Sequence, residues 1–183
     1  MNILASYLGG QQAAAQKNAM AGMVQDGRAP GKAVAPGKAD LIGIAKSTLG
    51  MNENEQNAAL QEYMQNGGVN LDPAVTAWCA AFVNATLKQA GMEGTGSNMA
   101  RSFLDWGQEV SEPQRGDLAV FTRGDPNGPF GHVGFFDGYN EDGTLRILGG
   151  NQGDSVSIAS YSPDDLLGFR RAPGNPMAQL AGM

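Results

Sequence analysis

The spacing of hydrophobic residues along the chain changes at about residue 113. Before this point, apolar side chains recur at the intervals of amphipathic helices, and glycines stand where such helices end. This pattern predicts helices over residues 39–51, 54–68, 76–90 and 98–107. After Pro113 the pattern changes to short alternating or apolar runs between turn residues, which is typical of strands. The predicted strands cover residues 117–123, 132–139, 144–150, 155–161 and 167–171.

Helices first and strands afterwards predict an α+β domain with an antiparallel sheet. The dipeptide Asp142-Gly143 lies between two of the predicted strands and indicates a tight hairpin. The sequence does not decide where the third helix starts, because Asp72 and Thr76 are both good N-cap residues. A helix that begins after Thr76 places Cys79 in its first turn, whereas one that begins after Asp72 places it in the second.

The two ends of the chain differ in composition from the part between them. Residues 1–24 predict a weakly amphipathic helix that either docks on a partner or frays. The near-repeat APGKA, at 29–33 and 35–39, is typical of a linker. We therefore predict three parts: a helix and linker over 1–38, a folded domain over 39–172 and a flexible tail over 173–183.

Charge and hydropathy exclude several classes of partner. The net charge is −6 and the pI is about 4.6, so the chain lacks the basic field that attracts nucleic acid or anionic lipid. No segment approaches the roughly 20 apolar residues that a membrane helix needs. The N-terminal residues have neither a basic start nor a long apolar run, so we expect no signal peptide. We expect neither nucleic acid nor a membrane as a partner.

One cysteine and one histidine are the candidates for chemistry. Cys79 lies near the start of a predicted helix, where backbone N–H groups and the helix dipole lower a thiol pKa. His132 begins a predicted strand, from which its imidazole could accept the thiol proton. Pairing of 132–139 with 144–151 through the hairpin would bring Asn151 beside His132, where it could orient the ring. A buried structural cysteine and a structural histidine are the alternatives.

The segment from Trp78 to Arg171 resembles the NlpC/P60 and CHAP superfamily of papain-like cysteine hydrolases, especially its phage and bacterial branch. The resemblance is carried, in the expected order, by the blocks WCAAFVN at 78–84, GTGS…ARSFLDWG at 94–107, GDLAVF at 116–121, GHVGFF at 131–136 and LGGNQ at 148–152. It implies N-terminal helices packed on a small antiparallel sheet, the nucleophile on a helix and the base on the sheet.

Carried over residue by residue, the resemblance assigns Cys79 as nucleophile, His132 as base and Asn151 as the third polar residue. Many CHAP domains have a glutamate two residues before that asparagine, where this chain has Gly149. The third role therefore falls to Asn151, with Gln152 as the alternative. The backbone N–H of Cys79 is the nearest donor for an oxyanion.

Two tryptophans complete the candidate residues. Trp78 and Trp106 lie within helical patterns that favour packing in the core, with the lining of a substrate groove as the alternative. Gln152 is a further candidate for such a groove. We expect no metal or other cofactor, because one cysteine and one histidine provide no zinc-site spacing.

The function expected from these residues is hydrolysis of an amide bond in peptidoglycan, by an endopeptidase or an N-acetylmuramoyl-L-alanine amidase. The same cysteine and histidine could also transfer the acyl group to an amine instead of to water. The expected setting is a phage tail or other virion protein that acts in the host periplasm or cell wall and docks on virion partners through residues 1–24. A free endolysin, and an inert structural virion component with a hydrolase-like fold, are the alternatives.

Overall fold

The computed structural model describes residues 40–173, and these form helices packed on an antiparallel sheet. The helical layer contains three α-helices within the described range, and α3 is the longest of them. They are α1 (Leu41–Lys46), α2 (Asn57–Asn66) and α3 (Cys79–Gln89), followed by a 3₁₀ helix over Ala100–Asp105. The α+β fold expected from the sequence is confirmed. The predicted segment 1–24 and the tail after residue 173 lie outside the described residues.

The sheet has six strands within residues 40–173, and neighbouring strands run antiparallel. Their order across the sheet is β1-β6-β2-β3-β4-β5, so β2 and β3 lie at its centre. The strands are β1 (Gln108–Val110), β2 (Leu118–Thr122), β3 (Gly131–Tyr139), β4 (Leu145–Gly149), β5 (Ser157–Tyr161) and β6 (Leu166–Arg171). A second 3₁₀ helix, Pro163–Asp165, connects β5 with β6.

The hydrophobic core lies on both faces of this sheet. Successive side chains of a strand point to opposite faces, and those of Leu118 and Val120 pack in the cluster that contains α3. Ala119 and Phe121 pack on the other face in a smaller cluster. Every residue of α3 from Cys79 to Leu87 is buried, so this helix is held on all sides. A helix fixed in this way can position a reactive side chain at its first residue.

Helix α1 is shorter than the sequence predicted, because it ends at Lys46 and not near residue 51. The hydroxyls of Ser47 and Thr48 donate to the carbonyls of Ile44 and Ala45, which satisfies these carbonyls as the helix ends. The backbone N–H of Gly50 then donates to the carbonyl of Val156 at 2.8 Å, so the chain has already turned toward the sheet.

The predicted helix over 98–107 is a 3₁₀ helix over Ala100–Asp105. Ser97 does accept a hydrogen bond from the backbone N–H of Met99, but it lies before the helix and does not cap it. Strand β1 was not predicted. Two of its three residues, Gln108 and Glu109, are polar and exposed, so the segment is too short and too polar to show hydrophobic alternation, and the strand forms because Gln108 to Val110 pair with β6.

Within the described residues, no helix has the length and apolar character needed to cross a membrane.

Candidate active site

Cys79 is the first residue of α3, and Trp78 precedes it as the N-cap residue. Neither of the predicted caps is used, because no side chain caps this helix. The Asp72 carboxylate instead accepts hydrogen bonds from the backbone N–H of Ala74 and the side chain of Asn57, at 3.0 and 2.9 Å. Cys79 therefore lies in the first turn, where the N–H groups have no partners within the helix and the helix dipole is strongest.

Cys79 is 4% exposed, and burial raises the pKa of its thiol above the ordinary value. Several smaller effects oppose this increase. The backbone N–H of Val133, the positive charge of Arg123 and the N–H groups of Ala80 and Cys79 itself all favour the thiolate and lower the pKa. Because Val133 directly follows His132, the contact between its N–H group and the sulfur brings α3 against the start of β3. The Cys79 N–H, predicted to bind an oxyanion, faces the same sulfur.

His132 is the second residue of β3, and its imidazole is 1% exposed. Its Nε2 lies 3.0 Å from Oε1 of Gln152. The carboxamide nitrogen of Gln152 donates to the carbonyls of Ser157 and Ile147, at 2.7 and 3.3 Å. Since Oε1 of Gln152 can only accept, Nε2 of His132 must carry the proton. The neutral ring then has its lone pair on Nδ1, the nitrogen that a base would use.

Nδ1 of His132 is buried and has no hydrogen-bond partner in the structure. The pKa of His132 is lowered to about 4: burial is the largest cause and the positive charge of Arg123 adds to it, while the bond to Gln152 acts in the opposite direction. At neutral pH both the thiol of Cys79 and the imidazole are therefore uncharged. A proton transfer from sulfur to Nδ1 would have to accompany the attack on a substrate, which is general-base catalysis.

Asn151, predicted as the third polar residue, makes no hydrogen bond with His132, whose Nε2 is bonded to Gln152 instead. It lies beyond the end of β4 at Gly149, and its backbone is in the left-handed region, with φ of 57°. The pairing of β3 with β4 ends at Phe135 and Leu148, before the register reaches His132. The Asn151 side chain makes no hydrogen bond with any described residue, and Gln152 takes the place beside the imidazole.

The two groove candidates lie in the interior. Trp78 is fully buried, packs edge-on against Phe82 and donates through Nε1 to the Glu53 carboxylate at 2.6 Å. Gln152 is 9% exposed and holds His132. The prediction that these two residues line a substrate groove is wrong. Core packing, the role that the sequence favoured for both tryptophans, applies to Trp78 and to Trp106, which is buried in the same cluster.

Tyr161 is a site residue that the sequence analysis missed. Its ring stacks on the imidazole of His132, with the two planes 4° apart and the centroids 5.1 Å apart. On β2, Phe121 also stacks on Tyr161, at 4.6 Å. Burial raises the pKa of Tyr161 to about 12, so its hydroxyl stays protonated at neutral pH. An aromatic residue at a strand end is too common to have marked this position in the sequence.

Arg123 was missed as well. Arg123 is exposed, yet its positive charge lowers the pKa values of Cys79, His132 and Tyr161. Within residues 40–173, no group of three or more His, Cys, Asp or Glu side chains is arranged to hold a metal ion. The arrangement consists of a thiol at a helix N-terminus, a neutral imidazole with an available lone pair, an amide that fixes the imidazole and an external positive charge.

A cysteine at the N-terminus of a buried helix, packed against an antiparallel sheet that carries a histidine, defines the papain-like class of folds. Residues 72–151 match the CHAP domain family. This match confirms the resemblance of this part of the chain to the NlpC/P60 and CHAP superfamily.

Among solved structures, the chain resembles a Staphylococcus aureus subsp. aureus Mu50 protein described as similar to a lipoprotein of the NLP/P60 family. The sequence identity is 22% and the TM-score is 0.49, over 74% of this chain and 41% of that protein. This chain thus spans about two fifths of the length of the S. aureus protein. No curated protein matches the chain.

Proposed function

We propose that the chain hydrolyses an amide bond of peptidoglycan, with Cys79 as nucleophile and His132 as general base. The observation that carries the proposal concerns His132, which lies in the segment that matches the CHAP domain family. Its Nε2 donates a hydrogen bond to Gln152, and its Nδ1 has a lone pair and no hydrogen-bond partner. Amide hydrolysis by a neutral thiol needs such a nitrogen close to the nucleophile.

The proposed reaction has two steps. In the first, the Cys79 thiol gives its proton to Nδ1 of His132 while the sulfur attacks the amide carbonyl carbon. The C–N bond then breaks, and the same proton passes to the leaving amine, which leaves a thioester on Cys79. In the second step, water attacks the thioester carbonyl and gives a proton to His132, and this proton returns to the sulfur as it leaves. The products are a carboxylic acid and an amine, and the enzyme is regenerated.

The oxyanion formed in both steps needs hydrogen-bond donors. The backbone N–H of Cys79 is the first of α3 and has no partner within the helix. Such a donor is fixed before the reaction and stabilises charge that develops on the carbonyl oxygen. We propose this N–H group as one donor of the oxyanion site.

Digestion of purified peptidoglycan tests the proposal. The wild-type chain should release soluble fragments in which one amide bond has been replaced by a new amine and a new carboxyl group, identified by mass. Cys79→Ser and His132→Ala should each lower the rate at least about a hundredfold. Thermal unfolding should confirm that both variants are folded. Equal release by wild type and Cys79→Ser would exclude the mechanism.

The same digestion separates the remaining alternatives. Fragments that carry an added amine at the new carbonyl, and not a carboxyl group, would indicate acyl transfer. No release by any protein, together with Cys79 alkylation as slow as that of a buried thiol from pH 5 to 9, would favour an inert structural component.

For the setting of this activity we propose a phage virion, most simply the tail, from which the domain reaches the host cell wall. The support is the resemblance of the site motifs to the phage and bacterial branch of the superfamily. The chain should then be detected by mass spectrometry in purified particles of the phage that encodes it. Its absence from such particles would favour the free endolysin.

A further inference from the structure

Arg123 stands at the rim of the candidate active site. It follows Thr122, the last residue of β2, and Thr122 pairs with Gly131, which precedes His132. Arg123 is exposed, whereas Cys79 and His132 are buried. Its positive charge lowers the pKa values of Cys79, His132 and Tyr161, and these three residues belong to three different elements. The strand pairing therefore places Arg123 just beyond the residues beside His132, where it is open to a molecule that arrives from solution.

The segment that carries Arg123 is braced. Arg101 donates to the carbonyls of Phe130 and Pro126, at 2.9 and 2.8 Å, and to the hydroxyl of Thr122 at 3.1 Å. These three bonds tie the 3₁₀ helix to both ends of the 123–130 loop. The backbone of Arg123 is thus fixed before any ligand binds, which reduces the entropy that binding would cost.

Among the lysines and arginines of residues 40–173, Arg123 is the one whose side chain has no hydrogen-bond acceptor and no ion-pair partner. Each of the others forms an ion pair or a hydrogen bond with a described residue, as an exposed cation in an acidic domain readily does. The paired residues are Lys46, Lys88, Arg101, Arg115, Arg146, Arg170 and Arg171. Arg123 forms neither a hydrogen bond nor an ion pair with any described residue.

We infer that Arg123 binds a carboxylate of the substrate, next to the amide bond that Cys79 attacks. An arginine fork matches a carboxylate through two parallel hydrogen bonds, which gives both orientation and affinity. The inference rests on the proposed function and specifies the substrate as an amide that carries a neighbouring carboxylate. Because the whole chain has a net charge of −6, a local cation is needed to attract such an anion.

Chemical amidation of peptidoglycan provides the test. One sample keeps its carboxylates, and a second has them converted to carboxamides by carbodiimide and ammonia. Wild type should digest the carboxylate form roughly ten- to a hundredfold faster, as expected for loss of one charged hydrogen-bonded pair. Arg123→Gln should digest both forms at the slow rate, mainly through a higher KM, and Arg123→Lys should keep part of the preference.

Arg146→Gln is the matched control. It changes the net charge by the same amount, and Asp137, the partner of Arg146, keeps Arg115 and Lys46. This variant should keep the full preference for the carboxylate form. If it loses the preference as Arg123→Gln does, overall charge is responsible and the inference is wrong.

A role of Arg123 in tuning the thiol alone has a different signature. Arg123→Gln would then raise the pH at which Cys79 is alkylated and slow digestion of both forms equally, with the preference for carboxylate unchanged. That result would overturn the inference while the proposed function stands. A wild-type chain that digests both forms at one rate would do the same.

Binding can be measured even if no digestion occurs. Cys79→Ala, with and without Arg123→Gln, is sedimented with the insoluble carboxylate and carboxamide forms of the polymer. Tighter binding to the carboxylate form that disappears with Arg123→Gln supports the inference independently of catalysis. Equal binding to both forms, or no binding to either, overturns it.

Discussion

A side chain at Gly149 and the carboxamide of Gln152 would compete for the same space beside His132. A Cβ atom at position 149 would lie 3.0 Å from Oε1 of Gln152 and 3.2 Å from Nε2 of His132. Many CHAP domains have a glutamate at the position of Gly149. In this chain the missing side chain leaves room for Gln152 to reach the imidazole from three residues further along.

Gly149→Ala should therefore disturb the bond between Gln152 and His132. Gln152 is held by Ser157 and Ile147, so it can move only by weakening those bonds. We expect a loss of about 1–2 kcal/mol in the free energy of unfolding, as for a small overpacked site, and slower digestion of peptidoglycan. Urea denaturation and fragment release measure the two effects.

Gly168→Ala is the control for this substitution. A Cβ atom at position 168 would meet only the Leu104 side chain, at 3.8 Å, which is an ordinary contact. Wild-type activity for both variants would contradict the role of the space at position 149.

The adjacent amides Asn151 and Gln152 offer a direct comparison. Gln152→Ala removes the acceptor for Nε2 of His132 and leaves the Ser157 carbonyl without its donor. We expect about a ten- to hundredfold lower rate of digestion, since an unsatisfied buried group costs roughly 1–3 kcal/mol. Asn151→Ala removes no hydrogen bond to a described residue and should stay within about threefold of wild type. The reverse ranking would restore Asn151 as the third residue.

Nitrogen chemical shifts of the imidazole provide a second measurement on the same variants. The chain has one histidine, so its ring signals need no assignment by mutation. In wild type the proton should reside on Nε2, and in Gln152→Ala the preference for this tautomer should weaken. A wild-type ring protonated on Nδ1 would contradict the assigned orientation of Gln152.

The sequence was sufficient to predict the α+β fold, the strands β2 to β6 and the pairing of a cysteine-bearing helix with a histidine-bearing strand. The fold class and the strands depend on hydrophobic periodicity and turn residues, which act locally. The packing of the cysteine-bearing helix on the histidine-bearing sheet was implied by the family resemblance. The prediction for Asn151 failed because it extended the β3–β4 register beyond Leu148. The register ends at Leu148, the left-handed Asn151 lies in the turn that follows β4, and its neighbour Gln152 is the residue that reaches His132.

Tyr161 and Arg123 could not be found by local patterns, because their roles depend on contacts between distant segments. Tyr161 lies 29 residues after His132 and reaches it only because β5 folds next to β4. Arg123 is distinguished by the absence of an acceptor among the described residues, a property of the folded chain alone.

The stacked ring of Tyr161 should position His132. Tyr161→Phe keeps the ring and removes the hydroxyl, whereas Tyr161→Leu removes the stacking on both His132 and Phe121. We expect near-normal digestion by the Phe variant, and a loss of about 1–3 kcal/mol in unfolding free energy with slower digestion by the Leu variant. Fragment release and urea denaturation check this, and a Phe variant as slow as the Leu variant would show that the hydroxyl takes part.

The low pKa of His132 predicts how stability depends on pH. The folded protein holds the neutral ring, with a pKa of about 4, whereas the unfolded chain has the ordinary value of 6.5. As the pH falls from 6.5 toward 4, the unfolded state therefore binds a proton that the folded state does not, and stability decreases. Below pH 4 both states are protonated, and the difference between the two pKa values limits this loss to about 3 kcal/mol.

Comparison with a variant that does not titrate isolates this effect from that of the carboxylates. His132→Asn is polar and stays neutral, so the free energy of unfolding of wild type relative to His132→Asn should decrease between pH 8 and pH 4. Urea denaturation at a series of pH values measures this difference. A difference that is constant over the range would mean that folding leaves the pKa of His132 unchanged, and the low value would be wrong. A difference that increases toward pH 4 would mean that the folded protein carries a charged imidazole, and the resting pair with Cys79 would then be an ion pair.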